Sequence, residues 1–219
     1  TIDRINDRIK VLNTRSSEIS KRLKTMTVTA GAIALLGAGA VQFEEGMARA
    51  NTMAQVGERQ LAAYTSQIKE ISTVVPIAKQ QLSEGLYNTI SAGVPKDNWI
   101  TFLRDSSKAA IAGNADLGLV VDATASSIKA YGDSWDNALL VQDRFQKTVE
   151  LGQIPSLQAL ATALPRVTAV GAKLKVSQQE LLGVFATASG VMGAPAEVAT
   201  QFSAVLSALL KPGSEAIEM

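Results

Sequence analysis

The sequence predicts an all-α protein: a long N-terminal heptad-patterned helix followed by a bundle of short helices. Three observations carry that reading. Apolar residues recur at helical spacing along almost the whole chain. Ala, Leu, Gln, Lys and Glu dominate the periodic segments, whereas runs of Val, Ile, Thr and Tyr in strict alternation are scarce. Helix start and stop residues punctuate the chain at short intervals.

The first element runs from Ile2. Apolar residues there alternate in steps of three and four, so that Ile2, Ile9 and Leu23 fall at position a of a heptad, and Ile5, Leu12, Ile19, Met26 and Ile33 at position d. Ser16 and Ala30 are the weak members. Isoleucine at both a and d favours three or more strands, so the seam Ile2, Ile5, Ile9, Leu12, Ile19, Leu23, Met26 and Ile33 is expected to join copies of the chain, with a trimer favoured. Arg8, Arg15 and Arg22 stand at g opposite Asn6, Asn13 and Ser20 at e, so no interhelical salt bridge fixes the partner or its direction. One long helix lying on its own chain is the competing reading.

From Thr25 to Phe43 the chain carries no charge. That length would cross about 30 Å of hydrocarbon as a helix. Basic residues precede it and Glu44 and Glu45 follow, a flanking asymmetry that suits a membrane segment. Its threonines, glycines and alanines leave it only mildly hydrophobic, so a buried or small-residue packing helix is the preferred reading and a membrane-active helical protein inserting through Thr25 to Phe43 the alternative. Residues 1–42 are therefore expected to form a helical stem and residues 43–219 a separate helical domain.

In that domain, Phe43 to about Tyr64 continues the helical pattern through Met47 and Leu61. Pro76 suits the first turn of a helix through Leu82, Leu86 and Ile90, with Gly93 as a left-handed stop. Asp97 is expected to cap the next, through Trp99, Ile100 and Leu103 to Gly113. Asp116 opens another, through Leu119 and Ile128 to Gly132. Ser134 caps a helix with Trp135, Leu139, Leu140 and Phe145, stopping near Gly152. Pro155 and Ser156 start one through Leu160, which Pro165 either kinks or separates from Val167 to Leu174. Ser177 and Glu180 form an S-x-x-E capping box before Leu181, Leu182, Val184 and Phe185. Gly190, Gly193 and Pro195 end that helix, and a last one carries Val198, Phe202, Val205, Leu206 and Leu209 to Lys211. The phrases at Ser91 to Gly93, Ala130 to Gly132 and Ser189 to Gly190 look like shared capping chemistry, with spacing too unequal to establish a solenoid repeat.

The chemistry available is narrow. The 219 residues contain no Cys and no His, which removes the usual zinc ligands, the commonest general base and the Cys or His members of nucleophilic triads. The glycines of Gly31 to Gly39 lack the lysine of a phosphate loop. Asp133 and Asp136 sit at a helix start, where the dipole favours negative charge. Glu44 and Glu45 are adjacent and point to different sides of a helix. Trp99 and Trp135 lie at helix starts with apolar neighbours and read as core anchors. No catalytic, cofactor-binding or metal-binding residue is expected. The net charge of +1 argues against a sequence-specific nucleic-acid binder. Residues 1–24 nevertheless hold seven basic and three acidic side chains, +4, which leaves −3 for the remainder.

From Phe43 onward the order of phrases resembles the core region of phage tail tape measure proteins. The phrases are Phe43, Glu44 and Met47; Val75 and Pro76; Ser91, Ala92 and Gly93; Asp116 and Leu117; and Tyr131 and Gly132. They continue through the Asp143 region, Val176 to Glu180, Ala188 to Gly190, and Ala199 and Thr200. They close on Leu209, Leu210, Lys211 and Pro212. The turn Gly193, Ala194, Pro195, Ala196 departs from the softer glycine and serine turns of relatives. The resemblance implies a virion structural protein, oligomeric and without enzymatic activity, assembled in the host cytoplasm. Such a protein occupies the tail lumen, sets tail length during assembly and leaves with the DNA at infection. It also implies contacts with tail tube and tail tip proteins, and with a host membrane during ejection. As one continuous helix 219 residues would extend only about 330 Å, so the chain is expected to be one portion of a larger protein or a truncated relative.

Overall fold

In the computed structural model residues 39–210 are described, and all their regular secondary structure is helical. The helices are α1 (residues 39–54), α2 (Glu58–Val74), α3 (Lys79–Ser91), α4 (Trp99–Ala112), α5 (Leu117–Tyr131), α6 (Ala138–Leu151), α7 (Leu157–Ala163), α8 (Pro165–Lys173), α9 (Gln178–Met192) and α10 (Pro195–Leu210). Single 3-10 turns, Lys96–Asn98 and Trp135–Asn137, lead into α4 and α6. The heptad seam from Ile2 to Ile33 lies outside the described residues. So does Thr25 to Phe43 except for its last five positions, which are helical. By its contacts the chain divides into Thr1–Glu45 and Gly46–Met219, and the architecture below is that of the second unit.

Several sequence signals act where the spacing puts them. The Asp116 carboxylate accepts from the Leu119 N–H at 3.1 Å and Ser156 Oγ from the Ala159 N–H at 3.2 Å, each satisfying a helix-start donor that otherwise has no partner. The Ser177 and Glu180 capping box is complete in both directions. Pro165 occupies the first position of α8 with Leu164 still in helical dihedrals, so it kinks the path rather than opening a loop.

Elsewhere the structure corrects the expectation. The helix expected to run unbroken from Phe43 to about Tyr64 is interrupted at residues 55–57. Gln55 turns left-handed there, and the Asn51 side chain brackets Val56, accepting from its N–H at 3.0 Å and donating to its carbonyl at 3.2 Å. Pro76 lies outside α3, whose N-cap is Ala78. Pro76 instead holds the preceding Val75 extended, which ends α2. Asp97 sits inside a 3-10 turn whose N-cap is Pro95 and caps nothing. Gly190 lies inside α9, and the left-handed residue after that helix is Gly193.

The larger correction concerns repetition. All seven left-handed residues in the described chain follow a helix: Gln55, Gly93, Asn114, Gly132, Gln153, Lys175 and Gly193. At five of these ends the next N–H reaches back across the last turn, as Val94 does to Thr89, Ala115 to Ala110, Asp133 to Ile128, Ile154 to Val149 and Val176 to Gly171. These uniform stops lay out two rows. In the first row α3 packs on α5, α5 on α7 and α8, and those two on α10; in the second α2 packs on α4, α4 on α6 and α6 on α9. Successive second-row helices start at Trp99, Ala138 and Gln178, steps of 39 and 40 residues. The chain is therefore a stacked array of helix hairpins with a period that glycine phrases alone do not reveal.

Close approach between hairpins depends on small residues, as the thin aromatic content requires. A Cβ on Gly152 would stand 2.8 Å from the Cα of Ala186 on α9, and one on Gly113 would collide with Leu157. Around these contacts Phe102, Phe145, Phe185, Leu103, Leu160 and Val141 are almost wholly buried. Trp99 is a core anchor, as expected: it is buried, donates from Nε1 to the Val94 carbonyl at 2.7 Å and lies 5.6 Å from the Tyr64 ring. Trp135 is half-buried and meets the Phe102 ring edge-on at 5.9 Å.

Candidate assembly surface

Two features set this array apart from a plain apolar bundle: a buried polar seam and an uncovered apolar end. The seam begins in the second row. Gln142 of α6 is buried between Val141 and Phe145 on the stripe that faces the core. Its amide donates to Ser106 Oγ of α4 at 2.9 Å and lies 3.5 Å from Thr124 Oγ1 of α5. One hairpin later Gln178 of α9 does the same, donating to Ser127 Oγ of α5 at 2.7 Å and accepting from the Arg144 guanidinium of α6. Each carboxamide thus ties three helices of two successive hairpins. Such bonds fix register, because sliding one helix by a turn would strand a buried amide.

Other interior hydroxyls stay local. Thr89, Ser107, Thr148 and Thr168 donate to the carbonyl four residues back, which satisfies them without a partner helix. The Tyr131 hydroxyl, at the end of α5, is buried without a protein partner among the described residues, and burial together with the Glu180 charge raises its pKa. Glu180 itself is held below the usual carboxylate range by hydrogen bonds from the Ser177 hydroxyl and backbone N–H.

The uncovered end is formed by α9 and α10. Val191, Val205 and Leu209 are 84%, 56% and 64% exposed, with Met192 and Leu210 beside them also open to solvent. From Leu181 to Leu210 the only charged residue is Glu197. A second, smaller apolar exposure lies at the start of α6, at Leu139 and Leu140. Among the described residues no helix is long and apolar enough to cross a membrane.

Catalytic geometry is not assembled among the residues singled out from the sequence. Asp133 accepts from the Ser134 N–H and from Asn137, and Asp136 accepts from Asn98 at 2.9 Å, so both serve the turn that opens α6. A groove of about 410 Å³ between α3, the end of α4 and the start of α5 brings Glu84 and Asp116 into one lining. Both are engaged locally, Glu84 with Gln80 and Asp116 with the start of α5. Among the described residues no group of three or more His, Cys, Asp or Glu could hold a metal ion. The polar seam escaped sequence reasoning; its only signal is a glutamine standing where the α6 stripe calls for an apolar residue.

The family model described as phage-related minor tail protein matches residues 65–219. The chain is 26% identical over 193 residues to a probable tape measure protein of Clostridium phage phiCD119, a match covering 86% of this chain and 20% of that protein. The chain thus spans about a fifth of the length of the curated relative it matches. No solved structure matches.

Proposed function

We propose, from the premise that the chain belongs to the phage-related minor tail protein family and is a structural component of the phage tail, that it forms part of a tape measure protein. In this reading the parent polypeptide occupies the tail lumen, sets tail length during assembly and is released when the genome is delivered. The observation that carries it is the likeness to a probable tape measure protein along 86% of the chain.

The stem would supply self-association, three copies meeting along Ile2, Ile5, Ile9, Leu12, Ile19, Leu23, Met26 and Ile33. Tail tube and tail tip proteins would surround the helical array, and a host membrane would be met on ejection. No cofactor and no sequence-specific contact to nucleic acid enters the reading.

Protease treatment of purified virions tests the lumen. Peptides from residues 46–210 should be detected in intact virions by mass spectrometry, survive external protease, and become digestible once ejection has been triggered. Digestion before ejection would place this segment on the outside and overturn the reading.

A further inference from the structure

The array repeats in register, and the register shows what is missing at its end. Helix α10 continues the first row: it packs on α7, α8 and α9 as α5 packs on α3 and α4. The starts of α5 and α10 lie 78 residues apart, at Leu117 and Pro195. At that offset the buried Leu117, Val120, Val121 and Ile128 of α5 correspond to the buried Pro195, Val198, Ala199 and Leu206 of α10. The faces turned toward the first row therefore match.

The faces turned toward the second row differ in one respect. On α5 that face carries Thr124 and Ser127, near Gln142 of α6 and bonded to Gln178 of α9 respectively. The corresponding places on α10 hold Phe202 and Val205. Ser127 is 3% exposed, whereas Val205 is left open. One turn on, half-buried Tyr131 corresponds to exposed Leu209. A position that is covered on α5 is bare on α10, and it is apolar, whereas the terminal helix of a stacked array ordinarily turns a polar face outward.

We propose that this face of α9 and α10 seats one more helix of the same polypeptide, the second member of a further hairpin. The sequence past α10 carries residue types comparable to those at the two earlier entries, with its glycine one position closer to the serine. Left-handed Gly132 is followed by the N-cap Ser134, and left-handed Lys175 by the N-cap Ser177. After α10 come Pro212, Gly213 and Ser214, then Glu215 and Glu218, acids suited to a first helical turn. Second-row helices α4, α6 and α9 are 14, 14 and 15 residues long. The occupant is accordingly an amphipathic helix of that length entered at Ser214, with apolar residues at three- and four-residue steps to meet Phe202, Val205 and Leu209. Charge is absent from the receiving face on either side of Glu197, which favours such a stripe over a charged partner.

The chain contains no cysteine, so a single introduced thiol reports on the face. Val205→Cys is placed in the 219-residue chain and in the natural polypeptide carried about 30 residues past Met219 (two second-row helix lengths at about 1.5 Å per residue). Maleimide labelling is then mapped by mass spectrometry, with Leu209→Cys as a second reporter and exposed Val74→Cys on α2 as a control. Labelling at 205 and 209 should be at least about tenfold slower in the longer polypeptide, as expected for local opening that costs 1.4 kcal/mol or more, with position 74 unchanged. Equal labelling in the two lengths would overturn the proposal, as would a reading frame that stops at Met219. Protection of the 219-residue chain that grows with its concentration would also overturn it, assigning the face to a second copy.

Discussion

The Gln178 side chain of α9 donates to Ser127 Oγ of α5 at 2.7 Å, a bond that spans 51 residues and joins the two rows of the array. The same carboxamide accepts from Arg144, so one residue holds three helices in register. Gln178→Leu should therefore leave a buried hydroxyl and a half-buried guanidinium unpaired. The expected cost is about 1–3 kcal/mol, read as a lowered thermal midpoint by circular dichroism. A cycle with Ser127→Ala should show coupling of at least about 0.5 kcal/mol. Additive single effects would mean that the bond does not set the register.

Gly152 should tolerate no side chain. A Cβ there meets the backbone of Ala186, which cannot swing aside, so Gly152→Ala should destabilise by about 1–3 kcal/mol in a denaturant melt. Gly183 on α9 faces open space, and Gly183→Ala should stabilise by about 0.5–1 kcal/mol through helix propensity. Reversal of the two signs would contradict the packing of α6 on α9.

Gln153 and Lys175 hold left-handed backbone at φ 50° and 62°, where a Cβ crowds the following carbonyl. Replacing either with Gly removes that strain and adds unfolded-chain entropy, the first effect being larger by up to about 1 kcal/mol. Midpoints should rise. Asn114→Gly should gain less, since Asn adopts this conformation more readily.

Much of the local structure could be read directly from the chain, because caps are local chemistry. Asp116, Ser156, Ser177 with Glu180, and the left-handed Gly93 and Gly132 all act at the expected places. The break at residues 55–57 was hidden because it uses Gln55 and a bracketing Asn51 rather than a proline. The repeat was hidden because identity marks only part of its period: Gly93 and Gly132, and Gly113 and Gly152, stand 39 residues apart, but Trp99, Ala138 and Gln178 start equivalent helices with unlike side chains. The polar seam was hidden for a related reason. A glutamine on a helix stripe becomes a tie only when a serine on another helix arrives opposite it.

Glu180 provides a pH test. Its hydrogen bonds with Ser177 lower its folded pKa below the unfolded carboxylate value. A lowered carboxylate stabilises the folded state above the unfolded pKa, and the contribution is lost as pH falls through the folded one. Wild type should thus be more stable than Glu180→Ala at neutral pH. The gap should narrow as pH falls from the ordinary carboxylate range to below it. A gap independent of pH would show that the carboxylate charge plays no part in capping α9.

Tail length is the most direct measure of the central claim. An in-frame deletion of one hairpin, α5 with α6, leaves the stacking of the remaining hairpins available. Tails measured by electron microscopy should be shorter by between roughly 10 Å, one interhelical spacing if the array stays folded, and roughly 60 Å if the segment runs as extended helix. Assembled tails of unchanged length would contradict the tape measure role.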